Sequence, residues 1–409
     1  MTVKAPLSRA MHLLSTCDVG GHSDTLQIMV EGGHAFVTHP FSGGFSVVDI
    51  RDPTAPRTVA HRPPPPGSMT LHLQLHEGIL LVASEADMSS RAAYLDKAGY
   101  FGAQLGYDAA DVLGDVGVQV YDVSHADNPV EIAFCRLPGF GVHRLFWAGG
   151  AVATASEMPL GQTDFALTVL DMADPVRPTV RSRWVPPDMS DPTVTGSGRI
   201  GLHHAILGGG GSGDTALAYG AWRAGGLQIV DVRGEPELIG ALAPQAWGGG
   251  NTHTTLPLSS RNLVVVADES VVEGGADGRR RIVLVDVADP RDPQVISTLP
   301  EPGEQAFRDL AAVFGPHNLH ENRPGTWQSD ELIFATYQSA GVRAYDVSDP
   351  AAPVEVGYLV PPPPTAIHDP RTPGAALVAQ TADLLALDDG MILASDLNSG
   401  LSIMQFDGR

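Results

Sequence analysis

The sequence is poor in the residues and patterns that mark several classes of protein. It has only two cysteines among 409 residues, Cys17 and Cys135, with no CxxC spacing. Two thiols cannot form a disulfide framework, so both are expected to be ordinary thiols of a cytoplasmic protein. The first 21 residues lack the apolar segment of a secretory signal, and no stretch approaches the roughly 20 apolar residues of a membrane span. We therefore expect a cytoplasmic protein with no membrane partner.

Basic charge is scarce as well. The chain has 25 Lys and Arg against 47 Asp and Glu, a net charge of −22, and no basic stripe is visible. Such a chain is not expected to bind a nucleic-acid backbone. Charged residues make up only 18%, whereas Gly (46) and Pro (33) are frequent, which favours many turns and short strands over long helices. The chain also lacks a Walker loop, a GxSxG elbow and an HExxH motif.

An internal repeat organises the sequence. Its phrase alternates apolar and other residues, reaches an aspartate, and ends in an Asp-Pro or similar turn. The copies are "FSVVDIRDPTAP" (45–56), "VQVYDVSHADNP" (118–129), "LTVLDMADPVRP" (167–178), "LQIVDVRGEPEL" (227–238), "IVLVDVADPRDP" (282–293) and "VRAYDVSDPAAP" (342–353). A degraded seventh copy, "LSIMQFDGR", ends the chain. Each phrase is followed by a short strand and preceded by an apolar pair around a tight turn, which gives four strands in each of seven repeats.

The repeated phrase resembles the LVIVD-repeat family of β-propeller proteins over about residues 20–409. The predicted fold is therefore an all-β, seven-bladed β-propeller of four-stranded blades, occupying residues 1–409 as a single domain. Because the last phrase runs into the C-terminus, "AMHLLST" (10–16) is expected to supply the missing outer strand and so close the ring. The resemblance implies no particular function, since propellers support many activities.

Histidines recur at one position of the repeat, the start of the innermost strand. They are His22, His72, His143, His203, His253 and His317; the seventh repeat has Gln380 or Asp383 there instead. The innermost strands of a propeller line its central channel and start at one face, so these side chains are predicted to converge near the axis. A structural role for repeated histidines remains an alternative. His204 and His320 fall outside the repeated register.

Acidic residues end the second strand of several repeats: Glu85, Glu157, Glu269 with Asp268, and Asp396. Because that strand returns to the histidine face, each acid is expected to lie near the histidine of its own repeat and to accept the proton of its outer ring nitrogen. Glu85, Glu157 and Glu269 are accordingly the candidate catalytic or orienting carboxylates.

Six imidazoles predict a transition-metal site, with His143, His203, His253 and His317 the first candidates as ligands, followed by His72 and then His22. Nitrogen ligands suit Fe(II), Zn or Cu better than Mg or Ca, and Mn is a further possibility. Fe(II) is favoured through a likeness at the level of architecture alone, to carotenoid-cleavage oxygenases, propellers that hold Fe(II) with four axial histidines.

Two loops on the histidine face are expected to help form a pocket. The longest insertion, 86–117, resembles a lid and contributes Tyr94, Tyr100, Phe101 and Tyr107. A predicted helix at 304–314 contributes Phe307 and Phe314, and "AYGAWRAGG" (218–226) contributes Trp222 and Arg223.

These patterns favour a metal-dependent enzyme acting on a small apolar or aromatic organic molecule, an oxidoreductase similar to an oxygenase ahead of a hydrolase or lyase. The alternative is a non-enzymatic interaction scaffold with structural histidines. The sequence leaves the substrate and the oligomeric state open.

Overall fold

The repeated phrases fold into four-stranded antiparallel units. The structure, a computed structural model, describes residues 7–89, 91–97, 114–190, 199–208, 217–275, 277–303, 307 and 309–408. Two strands, β1 (Ser8–Arg9) and β2 (Met11–Cys17), precede the first unit. The first unit contains β3 (Ile28–Glu31), β4 (His34–Thr38), β5 (Phe45–Asp49) and β6 (Arg57–Arg62). The second contains β7 (Ser68–His76), β8 (Ile79–Ala86), β9 (Gly117–Asp122) and β10 (Val130–Arg136).

The next three units repeat this meander. They are β11 (Gly139–Phe146), β12 (Val152–Pro159), β13 (Ala166–Asp171) and β14 (Thr179–Trp184); β15 (His204–Leu207), β16 (Leu217–Ala221), β17 (Leu227–Asp231) and β18 (Glu237–Leu242); and β19 (Thr252–Leu258), β20 (Leu263–Asp268), β21 (Ile282–Asp286) and β22 (Gln294–Thr298). A single pairing of Gly141 with Glu85 joins the second and third units into one eight-stranded sheet.

The last two sheets each take a strand from the N-terminal segment. One consists of β23 (Leu332–Thr336), β24 (Val342–Asp346) and β25 (Val354–Leu359), with β1 paired to β25. The other consists of β26 (Thr381–Ala386), β27 (Met391–Asp396) and β28 (Gly400–Phe406), with β2 paired antiparallel to β28. Met11 faces Phe406 in that pairing, so the two ends of the chain share a sheet.

The aspartate of each repeat has a structural role at the end of the third strand. Its carboxylate accepts the backbone N–H two residues later at 2.8–3.1 Å, which closes the turn that follows. These aspartates are Asp49, Asp122, Asp171, Asp231, Asp286 and Asp346. The phrase recurs because each unit needs the same turn at the same place.

Neighbouring units are joined by buried hydroxyl groups. A Ser or Thr on the second strand of one unit donates to a backbone carbonyl at the first strand of the next. Such bonds run from Thr38 to Leu71, from Thr154 to Ala205, from Thr336 to Ala382 and from Ser395 to Leu26. The apolar cores lie between the sheets, because the middle strands are buried on both faces, as in β5 and β20, while outer strands such as β22 alternate with exposed residues.

Helix is limited to short turns in the described residues. One helical turn, α1 (Ala92–Leu95), lies in the predicted lid at 86–117, of which 90 and 98–113 fall outside the description. Single 3₁₀ turns occur at Val19–Gly21, Pro187–Ser190, Pro244–Trp247, Ser259–Arg261 and Glu273–Gly275. Of the described residues in the helix predicted at 304–314, Phe307 is helical, whereas 309–314 forms turn, bend and irregular backbone. Within the described ranges, no helix has the length and apolar character needed to cross a bilayer.

Candidate metal centre

Four of the six predicted histidines meet where the innermost strands begin. His143 lies on β11 and His253 on β19, while His203 directly precedes β15 and His317 precedes the bridge of Leu319 to β23. The Nε2 atoms of His143 and His203 are 3.1 Å apart. The ring centroids of His203 and His253 are 3.8 Å apart, and those of His253 and His317 are 4.3 Å apart. The repeated strand start therefore brings these four imidazoles into one contiguous group.

The outer ring nitrogen of each of these histidines has an oxygen partner. Nδ1 of His143 donates to Glu85 Oε2 at 2.9 Å, and Nδ1 of His203 donates to the His253 carbonyl at 3.0 Å. Nδ1 of His317 donates to the Ala382 carbonyl. Nδ1 of His253 donates to Thr254 Oγ1 at 2.9 Å, since that hydroxyl gives its own proton to Asn318. These partners assign the proton of each neutral ring to Nδ1, which leaves the lone pair on Nε2.

The lone pairs of His143 and His203 consequently face each other across 3.1 Å. Two nitrogen lone pairs at that distance repel unless a proton or a cation lies between them. Two nitrogen ligands bound at about 2.0–2.1 Å in a tetrahedral site would be about 3.4 Å apart. The separation thus matches two ligands of one metal ion. The Nε2 atom of His253 differs from those of His143 and His203, because its lone pair already accepts a hydrogen bond from Arg144 Nη2 at 3.4 Å.

Burial keeps the imidazoles neutral. It lowers the pKa of His203 and of His253 well below 6.5, and the charges of neighbouring histidines and arginines lower these pKa values further. Burial also lowers the pKa of His143, with the Glu85 carboxylate acting in the opposite direction. A neutral imidazole is the form that binds a metal.

Glu269 brings a carboxylate into the same group. Its oxygens lie 3.8 Å from His253 Nε2 and 3.5 Å from His317 Nε2. Burial alone would raise the pKa of Glu269, but the contact with His317 and the charges of Arg223 and Arg144 lower it, so the group is ionised. His203, His253 and Glu269 each place one ligand atom within 4.8 Å of the others. A mixed nitrogen and oxygen donor set suits Fe(II), Zn or Mn.

The predicted pairing of each acid with the histidine of its own repeat is not what the structure shows at Glu85. Glu85 contacts His143 of the next repeat, because Glu85 and Gly141 are paired across the two units. Glu157 does not reach the histidines: it accepts from Thr168 at 2.6 Å and from Arg183 at 2.8 and 2.9 Å. It serves the outer strands of its own unit.

His72 lies farther along the inner strands, beside a second cluster. Its Nδ1 accepts the backbone N–H of Leu145 at 3.3 Å, and its ring lies 5.4 Å from that of His204. His72, His204 and Glu321 place ligand atoms within 4.8 Å of one another, and all three are buried. The Leu145 bond assigns the proton of His72 to Nε2, which argues against Nε2 as a metal ligand. The two clusters differ in tautomer: His143 and His203 carry their protons on Nδ1, whereas His72 carries its proton on Nε2.

His22 lies apart from the group formed by His143, His203, His253 and His317. Its ring stacks on His61 at 4.1 Å with an interplanar angle of 7°, and lies 5.0 Å from His39. Its Nδ1 contacts Ser42 Oγ at 3.1 Å. The first strand of the first unit begins only at Ile28, six residues after His22, which accounts for the displacement.

A cavity of about 110 Å³ opens beside the four histidines. Of the predicted wall residues, Tyr94 lines it, and burial raises the pKa of its hydroxyl to about 12. Arg223, in the segment expected at the channel mouth, lines it too. Sequence reasoning missed the other wall residues, among them Phe41, Arg144, Phe165, Arg199 and Arg371. Arg144 directly follows His143, the one signal that could have found it.

Three other predicted wall residues, Trp222, Phe307 and Phe314, do not line this cavity. Trp222 is fully buried and packs edge-on against Trp184 at 5.2 Å. Phe307 packs beneath the guanidinium of Arg343, and Phe314 packs against Tyr337. These three are core residues. Tyr100, Phe101 and Tyr107 lie outside the described residues.

Comparison with known proteins agrees with the fold. Residues 22–61 match the model of the LVIVD repeat family. The sequence matches no curated protein. Among solved structures, the chain is similar to the β-propeller domain of Cps50 (Swd1) from Myceliophteria thermophila, with TM-score 0.57 and 12% identity over 97% of this chain and 99% of that one.

Two further structures resemble the chain. The WD40 β-propeller domain of Doa1 gives TM-score 0.56 and 9% identity over 97% of both chains. A functionally unknown protein from Desulfotomaculum acetoxidans gives 0.51 and 10% over 82% of this chain and 85% of that one. At these identities the likeness establishes the β-propeller fold and carries no function.

Proposed function

We propose that this protein is a metal-dependent enzyme that holds one transition-metal ion through Nε2 of His143, His203, His253 and His317. One observation carries the proposal: Nδ1 of each of the four rings donates to oxygen, and Nε2 of His143 and Nε2 of His203 face each other at 3.1 Å close to the ionised carboxylate of Glu269. The bonds of His203 and His317 to carbonyls of the next unit would also suit histidines that only join the units, but such a role leaves the 3.1 Å approach of the His143 and His203 Nε2 atoms unexplained.

The surrounding residues support a reaction site as well as a binding site. Glu85 is a positioning residue, because its carboxylate fixes the tautomer and the plane of the His143 ring. Glu269 is placed to hold the ion or to take a proton from a group in the cavity. Arg144 lies at the base of the group and donates to His253.

Fe(II) is the ion we favour, in an oxidoreductase acting on a small apolar or aromatic organic molecule. Bound at this site, Fe(II) would supply dioxygen activation, whereas Zn or Mn would polarise water or a carbonyl, as in a hydrolase or lyase; Cu is a further candidate. Neutral imidazoles with one carboxylate agree with the first three ions. The wall formed by Tyr94, Phe165 and Phe41 supports an apolar or aromatic substrate.

We also propose that the units close into a ring of seven blades. The pairing of β2 with β28 supports closure through the chain ends. Across the same junction, Ile28 N–H donates to Asp383 Oδ2 at 3.1 Å, and Thr25 N–H donates to the Asp396 carbonyl at 3.0 Å. A closed ring explains why inner strands so distant in sequence start around one axis.

Elemental analysis tests the metal proposal directly. Protein purified anaerobically and reconstituted with Fe(II) is expected to hold close to one ion per chain. The double change His143→Ala, His203→Ala should abolish binding, whereas the exposed control His12→Ala should not. A folded wild-type protein that retains less than about a tenth of an equivalent of Fe, Zn, Mn and Cu alike would refute the proposal. The ion retained decides between the oxidoreductase and the hydrolase or lyase.

A further inference from the structure

The cavity beside the histidines is walled by an unusual number of cations. Arg144, Arg199, Arg223 and Arg371 all line it, against two carboxylates, Glu85 and Glu269. The side chains of Arg199 and Arg371 are only 2% and 11% exposed. Because burying an unpaired guanidinium is costly, each of these two groups needs a partner carboxylate.

Two of these arginines are fixed from behind. Arg199 makes a two-bond contact with Asp164, at 2.7 and 3.0 Å, and Arg371 makes the same contact with Asp369, at 2.8 and 2.9 Å. Neither aspartate belongs to the cavity wall, whereas both arginines do. The positive groups are therefore held in fixed orientations at the cavity, with their counter-charges on the far side.

Aromatic rings lie close to the guanidinium groups of both Arg371 and Arg199. The guanidinium of Arg371 lies 4.9 Å from the ring centre of Tyr94 and 5.5 Å from that of Phe41. The guanidinium of Arg199 lies 6.0 Å from the ring centre of Phe165, which in turn lies 5.4 Å from His143. The wall thus alternates fixed positive charge with apolar ring faces.

Arg371 is buried, whereas the arginines of similar Asp-x-Arg turns elsewhere in the chain are exposed. The same Asp-x-Arg contact occurs at Asp49 with Arg51 and at Asp231 with Arg233. There the arginines are 65% and 74% exposed, whereas at 371 the arginine is buried over the cavity. A turn that requires only a local ion pair can leave its arginine in water.

We propose that the substrate of this site is a small carboxylate, with its anionic end at the arginines and its apolar body against Tyr94, Phe41 and Phe165. A fixed planar guanidinium is the group best matched to a carboxylate. The cavity, at about 110 Å³, is smaller than the roughly 150 Å³ that accommodates benzene, which favours a short-chain body and excludes one larger than a single ring. This inference rests on the proposed function and names the substrate class of the same site.

Calorimetric titration of the full chain tests the inference with two pairs of probes of matched shape, benzoate with benzamide and propionate with propionamide. At least one carboxylate is expected to bind the wild type about tenfold or more tightly than its amide. Arg371→Gln should remove that preference, and Arg371→Lys should keep part of it. Arg51→Gln removes a matched ion pair outside the cavity and should leave binding unchanged.

Titrating both metal-loaded and chelator-treated protein separates the two proposals. A carboxylate preference that depends on Arg371 in chelator-treated protein would support the substrate class independently of the metal. The metal proposal alone would fail if the reconstituted protein showed that preference but retained no Fe, Zn, Mn or Cu. If metal binds but both amides bind as tightly as their acids, or no probe binds, the substrate class is wrong and the metal site stands. Unchanged carboxylate affinity in folded Arg371→Gln and Arg199→Gln would also overturn the proposed substrate class. If neither Gln variant folds, Arg371→Lys decides, because wild-type affinity in that variant contradicts a bidentate contact.

Discussion

The Nε2 atoms of His143 and His203 lie 3.1 Å apart, although the Nδ1 atoms of both rings already donate to oxygen. Two acceptors at that distance repel unless a proton or a cation lies between them, and the metal ion that we propose would meet this requirement. This contact makes the axial cluster more than a set of packed polar side chains, and it defines which variants are informative.

Removing one ligand should weaken metal binding without unfolding the chain. We expect His203→Ala to lower metal affinity by at least about a hundredfold, because one imidazole and its coupling to His143 are both lost. Competition with a chromogenic chelator measures the change, and the circular dichroism spectrum should stay that of the wild type. His34→Ala, in the hairpin between β3 and β4, is the control; equal losses in both variants would contradict a specific site.

Glu85 should act through His143. Glu85→Ala is expected to reduce metal affinity about tenfold to a hundredfold, the usual effect of removing the carboxylate behind a metal-binding histidine. Glu85→Gln retains an oxygen that can accept from Nδ1 and should recover part of the loss. If the Gln variant were as weak as the Ala variant, the positioning role would be wrong.

Glu157 should affect the stability of the fold and not the metal affinity. Glu157→Gln breaks a carboxylate contact to Arg183 and Thr168 and is expected to lower the free energy of unfolding by about 1–3 kcal/mol. Metal affinity should not change, since Glu157 contacts the outer strands of its unit. Urea unfolding measures the loss of stability, and chelator competition measures the metal affinity. A loss of metal affinity without a loss of stability would restore Glu157 as a site residue.

Acid should destabilise the fold through His39. Burial lowers the pKa of His39 to about 4; the charges of His22 and His61 act the same way, and Asp24 opposes them. An unfolded chain has the ordinary pKa of about 6.5 and binds the extra proton between pH 6.5 and 4, so stability falls as pH falls through that window. His39→Gln should reduce the slope of unfolding free energy against pH there by about 1.4 kcal/mol per pH unit. Urea unfolding at pH 4.5, 5.5 and 7 measures it, with exposed His12→Ala as the control.

The N-terminal strand should contribute to stability through Met11. Its side chain is 3% exposed and packs in a core that includes Phe406 and Leu359, from the last two sheets. Met11→Ala is expected to cost about 2–5 kcal/mol in unfolding free energy. The neighbouring His12→Ala should cost little because His12 is exposed. Equal, small effects at both positions would mean that β2 does not hold the chain ends together.

Much of the fold follows from local pattern. The register aspartates end third strands as predicted, because each carboxylate closes the next turn through a backbone N–H. The predicted helix at 304–314 shows the limit of such reasoning. Phe307 is helical but 309–314 is not, although Phe307 and Phe314 both pack into the core.

The site was partly accessible from the sequence. Repeated register was enough to predict that His143, His203, His253 and His317 would converge. It failed for His22, whose unit starts its first strand six residues later, and for the partner of Glu85, which belongs to the next unit. Arg199 and Arg371 lie outside the repeated phrases, so only the structure places them in the cavity wall.

The sequence by itself determined the strands, their turns and the histidine at each strand start, because these depend on contacts within one unit. Only the tertiary structure decided which histidines share a site, which ring nitrogen faces inward and which arginines surround the cavity. Those properties depend on the offset between neighbouring units and on partners up to several hundred residues away, such as Arg371 over Tyr94. Neither the offset nor such a partner leaves a local signal in the chain.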